Sequence, residues 1–169
     1  MSQETRFTVL QQIQRAAHQL APAIREMFDR AGLAPADLKT VDDLSRLPVF
    51  KKESLVELQR QRPPFGGFLA AKDEEIVRIF VSPGPINEPQ LRHDRDGCGF
   101  GTAFAAAGLG PGDRVLNTWS YHLVPAGLLL DEGLRSVGAT VIPAGTGGSE
   151  LQAKLVTDLG VTCICASTA

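Results

Sequence analysis

Residues 77–89 read VRIFVSPGPINEP, and the interpretation of the whole chain depends on this stretch. A β-branched, apolar run enters a turn rich in proline and glycine, which is typical of a buried strand that ends in a tight loop. In α/β proteins such a loop often binds phosphate, because its backbone N–H groups point at the anion. Here three prolines lack that N–H, no lysine is present, and Glu88 adds a negative charge. The loop has the position of a phosphate loop without the usual chemistry.

The segment before the loop has helical periodicity. Its apolar residues recur at intervals of three and four, which predicts one buried stripe, and Pro22 predicts a break between two helices. The stripe consists of Phe7, Leu10, Ile13, Ala17, Leu20, Ile24, Met27 and Phe28.

Strand-like and helical runs alternate after residue 75. Expected strands lie at 75–81, 114–117, 140–143 and 161–165, and expected helices lie at about 95–107, 124–137 and 150–159. This alternation predicts a mostly parallel sheet with helices on both faces, and so an α/β fold. We expect a helical segment, residues 1–72, packed on the same domain as a βαβ unit, residues 73–169. Because the sequence stops just after a strand, we expect a single incomplete domain.

Composition excludes several classes of function. The net charge of −2 and the aromatic content of 6% argue against a nucleic-acid partner, and no apolar run is long enough to span a membrane. The odd cysteine count, with no visible signal peptide, favours the cytoplasm. Cys163 and Cys165 have metal-like spacing, but no other ligand accompanies them, so we expect buried thiols and no metal.

Several short motifs follow one another in an order that has a known counterpart. They are AGL at 31–33, TVDDL at 40–44, LP at 47–48, KESL at 52–55, AAGLGPGDRV at 106–115, VGATVIP at 137–143 and GG at 147–148. Together they resemble the N-terminal part of the phenylacetate–coenzyme A ligase branch of the adenylate-forming (AMP-binding, acyl-CoA synthetase) superfamily. The resemblance covers most of the chain.

This resemblance implies a function and cofactors. Members of the family use ATP and Mg²⁺ to convert an aryl or acyl carboxylate to an acyl-adenylate, and they then pass the acyl group to coenzyme A. The family's ribose-binding acidic residue and catalytic lysine lie in parts beyond these residues. We therefore expect no catalytic residue on this chain, and no turnover by this chain alone.

The loop departs from the family pattern, Ser-Ser-Gly-Thr-Thr-Gly-Lys-Pro. Ser82, Gly84 and Pro89 are retained, whereas Asn87 replaces the second glycine and Glu88 replaces the lysine. Two unit charges about 4 Å apart interact by roughly 1 to 4 kcal/mol between bulk-water and near-surface screening, so the exchange turns attraction for a triphosphate into repulsion. The loop is a degenerate phosphate loop, and ATP binding by this chain is doubtful.

Two further segments are candidate binding sites. By the resemblance, Trp119 or Tyr121 walls an acyl pocket and His122 lies near a carboxylate or an adenylate; the alternative is that both aromatic residues belong to the core. A non-catalytic role is favoured for His122, which has no carboxylate or nucleophile nearby in sequence. Gly147 and Gly148 form either an anion-binding loop at a helix start or a plain connection.

Three functions are compatible with the sequence. The first is the N-terminal portion of an ATP-dependent acyl- or aryl-acid–coenzyme A ligase. The alternative is a non-catalytic homologue that binds an acyl group or small molecule and has lost nucleotide binding; a flavodoxin-like binder is favoured least, because only fold analogy supports it. A small carboxylic acid is the expected partner. A truncated sheet would expose apolar surface, so we also expect a homo-oligomer.

Overall fold

A computed structural model describes residues 3–167 of the chain. They form two compact units. The first comprises the described residues up to Ile79 together with Gly84–Pro89, and the second comprises Phe80–Pro83 and the described residues from Gln90 onward.

The first unit is mainly helical. Its helices are α1 (Gln3–Leu20), α2 (Pro22–Ala31) and α3 (Ser54–Gln61), and its 3₁₀ turns are Pro35–Asp37, Asp42–Arg46 and Asp73–Glu75. Ala21 has extended backbone between α1 and α2, and Pro22 starts α2, where its missing N–H costs nothing. The predicted break at Pro22 is therefore confirmed.

The predicted apolar stripe is only partly buried. Phe28 is 2% exposed and packs edge-on against His18, with ring centroids 5.3 Å apart. Ile13 and Leu20, in contrast, are 59% and 58% exposed. The prediction is wrong for these two residues, because the buried face of α1 is centred on Gln14, and Ile13 and Leu20 lie roughly 100° or more away from it around the helix.

Two strands flank the proline-rich turn. They are β1 (Ile76–Ser82) and β2 (Ile86–Leu91), which form a two-stranded sheet with each other. The expected parallel pairing of the first strand is therefore wrong. Three residues, Pro83–Pro85, suffice for a hairpin, whereas a parallel neighbour needs a long crossover. The strand is also less buried than expected, since Val77 and Ile79 are 41% and 50% exposed.

The second unit contains a parallel three-stranded sheet, as expected. Its strands are β3 (Arg114–Asn117), β4 (Thr140–Pro143) and β5 (Cys163–Cys165), and its helices are α4 (Phe100–Ala106), α5 (Ala126–Ser136) and α6 (Ser149–Asp158). The strand order is β4-β3-β5, with both pairs parallel. The connections from β3 to β4 and from β4 to β5 run in opposite directions across the sheet, so right-handed crossovers would put α5 and α6 on opposite faces. The α/β fold class is confirmed.

The core of this unit lies where α5 meets the sheet. Val115 and Leu134 are fully buried and pack with Ala139. Helix α4 begins later than the predicted residue 95, because residues 97–99 all have positive φ. At Gly97 a Cβ would stand 1.9 Å from the carbonyl oxygen of Leu129 in α5, so the chain before α4 approaches α5 too closely for any side chain.

No helix within residues 3–167 combines the length and apolar character needed to cross a membrane.

Gln14 is an unsatisfied polar group in α1. Its side chain is 8% exposed, and neither amide atom has a hydrogen-bond partner among the described residues. Since an unpaired buried polar group costs roughly 1–3 kcal/mol, we expect Gln14→Met to raise the free energy of unfolding by about that amount. Urea denaturation should show a higher midpoint at an unchanged slope.

Gln12→Met is the matched control, because Gln12 is exposed on the same helix. Its effect should stay within about 0.5 kcal/mol. A lower midpoint for Gln14→Met would show that the Gln14 amide is satisfied in solution.

Candidate functional site

The predicted phosphate loop is the turn and second strand of a hairpin. Ser82 ends β1 and is buried, and Gly84, with φ of 135°, lies at the exposed tip. Asn87 and Glu88 lie inside β2. Three of the four predicted loop residues therefore belong to strands, where the backbone is extended and does not curl around an anion.

The backbone of Asn87 is fixed by the side chain of Gln59. The Asn87 N–H donates to Gln59 Oε1 at 2.8 Å, and Gln59 Nε2 donates to the Asn87 carbonyl oxygen at 2.9 Å. Asn87 Nδ2 also donates to the Pro64 carbonyl oxygen at 3.0 Å. The buried amide of Gln59 thus acts as a strand partner. The N–H at the position of the family's second loop glycine is already donated within the protein.

Glu88 keeps the negative charge of the hairpin close to a cation. Its carboxylate lies 4.0 Å from Lys52 Nζ, and the two side chains are 39% and 63% exposed. An ion pair this open to solvent stabilises little. Lys52 therefore offsets the charge of Glu88 only partly.

A buried amide, Asn117, organises the loop that follows β3 in the second unit. Its side chain is fully buried, and its Nδ2 donates to Tyr121 Oη at 2.8 Å and to the Gly127 carbonyl oxygen at 2.9 Å. Its Oδ1 accepts from the Trp119 N–H at 3.2 Å. Asn117 was not predicted as a functional residue; its signal in the sequence is an amide that ends the strand-like run RVLN directly after two apolar residues.

The hydroxyl of Tyr121 belongs to the same network. It donates to Asp131 Oδ2 at 3.1 Å while accepting from Asn117. Burial and the neighbouring Asp131 carboxylate raise the pKa of Tyr121 well above its ordinary value, so the phenol stays protonated. Its polar tip is thus bonded inside the protein, and any contact with a ligand falls to the ring. Trp119 is half-buried and His122 is exposed.

The loops after β3 and β4 lie at the carboxyl edge of the parallel sheet. The Asn117 carbonyl oxygen accepts from the Gly145 N–H at 3.1 Å, and the Thr118 N–H donates to the Cys165 carbonyl oxygen at 3.0 Å. These contacts join the loop that follows β4 to the end of β3, and the loop that follows β3 to the end of β5. Ligands of open α/β sheets bind outside the carboxyl ends of the strands, which is the edge that these loops form.

The glycine loop is held at this edge through its carbonyl groups. Gln152 Nε2 donates to the carbonyl oxygens of Gly145 and Gly147 at 2.9 and 2.7 Å. Gly147 and Gly148 are exposed and have positive φ, and Gly148 precedes α6 without a side-chain cap. An anion-binding role for these glycines stays a prediction.

All three cysteines are free thiols. Burial raises the pKa of Cys165, and burial together with Asp94 raises the pKa of Cys98 to about 11. Among residues 3–167, no three His, Cys, Asp or Glu side chains are grouped so as to hold a metal ion.

Sequence comparison finds curated relatives that share one name, although no protein-family model matches the chain. Phenylacetate-coenzyme A ligase of Escherichia coli (strain K12) is 34% identical over 148 residues, which are 84% of this chain and 33% of that protein. The enzyme of the same name from Thermus thermophilus is 33% identical over 147 residues, 83% of this chain and 32% of that protein. The chain spans about a third of the length of these relatives.

The solved structures that resemble this chain are also structures of a CoA ligase. A 2-hydroxyisobutyryl-CoA ligase in an open conformation, in complex with 2-HIB-AMP and CoA, superposes with a TM-score of 0.77 at 30% identity, over 89% of this chain and 33% of that one. The same ligase in the thioesterification state gives 0.79 at 28% identity, over 93% and 34%. The chain therefore belongs to the phenylacetate–coenzyme A ligase branch of the adenylate-forming enzymes, and it corresponds to about one third of such a protein.

Proposed function

We propose that this chain is the N-terminal portion of an ATP-dependent ligase that joins an acyl or aryl acid to coenzyme A. ATP, Mg²⁺ and coenzyme A are the cofactors of the complete protein by family. We further propose that this chain alone binds a small carboxylic acid at the carboxyl edge of the parallel sheet, and that it does not hold the phosphates of ATP or turn over substrate.

The backbone N–H groups of the hairpin support the proposal that this chain does not hold the phosphates of ATP. A phosphate loop works by offering free backbone N–H groups to the anion. Here Asn87 donates its N–H to Gln59, and the prolines at 83, 85 and 89 have none to offer. Freeing the Asn87 N–H would leave the buried Gln59 amide unpaired, at a cost of roughly 1–3 kcal/mol. Glu88 adds repulsion at the same place.

We expect no binding of ATP·Mg²⁺ to the wild-type chain by isothermal titration calorimetry. Glu88→Lys combined with Pro85→Thr restores one charge and one hydroxyl and should bring measurable affinity. Ile86 is best left unchanged, because it is 3% exposed and its replacement would damage the packing.

Glu88→Gln and adenosine serve as controls for this titration. Glu88→Gln removes the negative charge without adding a positive one, so it should bind ATP more weakly than Glu88→Lys. Wild-type binding of ATP that is tighter than binding of adenosine would contradict the proposal, since it would show that the phosphates are held.

The acid site can be followed through Trp119, the one tryptophan of the chain. We expect phenylacetate to change its fluorescence saturably, because the half-buried indole lies on the loop at the carboxyl edge of the sheet. Tyr121→Phe, which keeps the ring, should bind with nearly unchanged affinity, whereas Tyr121→Ala should bind about tenfold more weakly, a loss of about 1.4 kcal/mol.

His93→Ala is the control for this titration and should bind phenylacetate with unchanged affinity, because His93 is an exposed histidine of the same unit outside residues 119–122. An unchanged fluorescence signal at saturating phenylacetate would remove the acid site from the proposal. That result would leave the conclusion about ATP untouched, since ATP is tested by calorimetry on the hairpin.

A second candidate function is a non-catalytic homologue that binds an acyl group or small molecule and has lost nucleotide binding. The Gln59–Asn87 contact favours it, because this contact uses the N–H that nucleotide binding would require. If the chain extended by the missing family motifs remains unable to form an acyl-adenylate, this candidate replaces the first. We also propose a cytoplasmic location, supported by the three free thiols.

Self-association is the last part of the proposal. β5 is an edge strand, and it carries Ile164, which is 52% exposed. Leu151 in the preceding helix α6 and Leu159 at the end of that helix are 60% and 43% exposed. Exposed apolar groups on a strand edge promote pairing with another chain.

We expect multi-angle light scattering to give a mass that rises with concentration, and we expect Ile164→Lys to return the chain to a monomer. Ile13→Lys introduces the same charge at an equally exposed site on α1 and should have no effect. A wild-type monomer at every concentration would contradict self-association.

A further inference from the structure

The first unit contains a cleft that the proposed function does not use. It encloses about 730 Å³ and lies among α2, the segment that follows the second 3₁₀ turn, and α3. We call it the cationic cleft and define it by six of its lining residues: Met27, Arg30, Arg46, Phe50, Lys51 and Leu58. Its volume falls within the range of small-molecule sites, about 300–1,000 Å³.

The walls of the cationic cleft present apolar surface to solvent. Met27 comes from α2 and Leu58 from α3, and the connecting segment contributes Val49 and Phe50. Val49 is 92% exposed and Phe50 is 38% exposed. The Phe50 ring also packs against the ring of Phe68, with the ring centroids 5.0 Å apart. This surface can receive the apolar body of a ligand.

Lysine and arginine side chains with unused hydrogen-bond donors surround this surface. Lys51 Nζ makes no hydrogen bond or ion pair with the described residues, and Arg30 uses only its Nε, which donates to the Glu26 carbonyl oxygen at 3.2 Å. Arg46 is more committed, because its Nη1 donates to the Asp37 carbonyl oxygen and to Asp43. Two cationic groups therefore have donors left for a ligand.

The one acidic residue that lines the cleft does not offset these cations. Glu57 accepts two hydrogen bonds from Arg60, at 2.7 and 2.8 Å, and one from Gln61 at 2.7 Å. The Arg60 and Gln61 donors hold the pKa of Glu57 at about 2, so its charge stays satisfied by partners on its own helix. The cationic cleft consequently favours an anion.

We infer that the cationic cleft binds a small amphipathic carboxylate, with the apolar body against Met27, Phe50 and Leu58 and the carboxylate at Arg30 and Lys51. Guanidinium and ammonium groups make charge-assisted hydrogen bonds with carboxylates. The site lies in the first unit and is separate from the acid site proposed at residues 119–122 in the second unit. It does not depend on the proposed function.

Calorimetry with sodium octanoate as the probe tests this inference on the 169-residue chain. Octanoate should bind saturably, and 1-octanol, which has the same chain without the charge, should bind about tenfold more weakly. Higher salt should weaken octanoate binding, because screening acts on partly exposed charges. Equal affinity for octanol and octanoate, or no saturable binding of octanoate, would overturn the inference.

Charge-removing variants locate the carboxylate. Arg30→Gln and Lys51→Gln should each weaken octanoate binding several-fold. Lys52→Gln is the matched control: it removes the same charge from the next residue, which does not line the cleft, and it should leave the affinity unchanged. Equal losses for Lys51→Gln and Lys52→Gln would mean that only the general charge of the segment matters, and would overturn the assigned position.

Backbone amide chemical shifts separate the two acid sites without any variant. Octanoate in the cationic cleft should shift the amides of residues 27–31 and 46–58 and leave the fluorescence of Trp119 unchanged. Shifts confined to residues 118–127, together with a fluorescence change, would place octanoate at the second-unit site and overturn the inference. This comparison remains valid if a charge variant fails to fold.

Discussion

In the first unit, the side-chain amide of Gln59 pairs with the backbone of Asn87 as a neighbouring strand would. Gln59 satisfies both backbone groups of Asn87, and Asn87 in turn reaches the Pro64 carbonyl oxygen. These hydrogen bonds pair backbone groups of Asn87, and together with the pairing to β1 they stabilise residues 86–91 as a strand. The hydrogen bonds that stabilise the hairpin therefore use the Asn87 N–H, which is the group that an anion at this position would need.

Much of the fold could be predicted from the sequence, because it depends on local patterns. Pro22 marked the helix break, and the alternation after residue 113 marked the parallel sheet. The strand 86–91 was missed because Asn87 and Pro89 are turn-forming residues, and strand geometry there depends on pairing with β1 and on a distant side chain, Gln59. The late start of α4 was missed for a similar reason, since close approach to α5 decides it.

The position of the candidate site could be predicted from the sequence, but the hydrogen bonds that hold its loop could not. The loop with Trp119 and Tyr121 does lie at the carboxyl edge of the sheet, where parallel topology leads one to look. The role of Asn117 could not be seen, because its partners Tyr121 and Gly127 are brought to it only by the turn between β3 and α5. The cationic cleft was equally invisible, since its residues come from three separate segments.

The strand order has a consequence for how the second unit forms. β3 is the central strand, yet both of its neighbours follow it in the chain, and the Arg114 N–H reaches Thr162 Oγ1 across a separation of 48 residues. Closing so long a loop must precede any gain from pairing, which slows topologies rich in distant contacts. During synthesis, β3 therefore leaves the ribosome with both edges unpaired. Its sheet can form completely only after α5, β4, α6 and β5 have also been made.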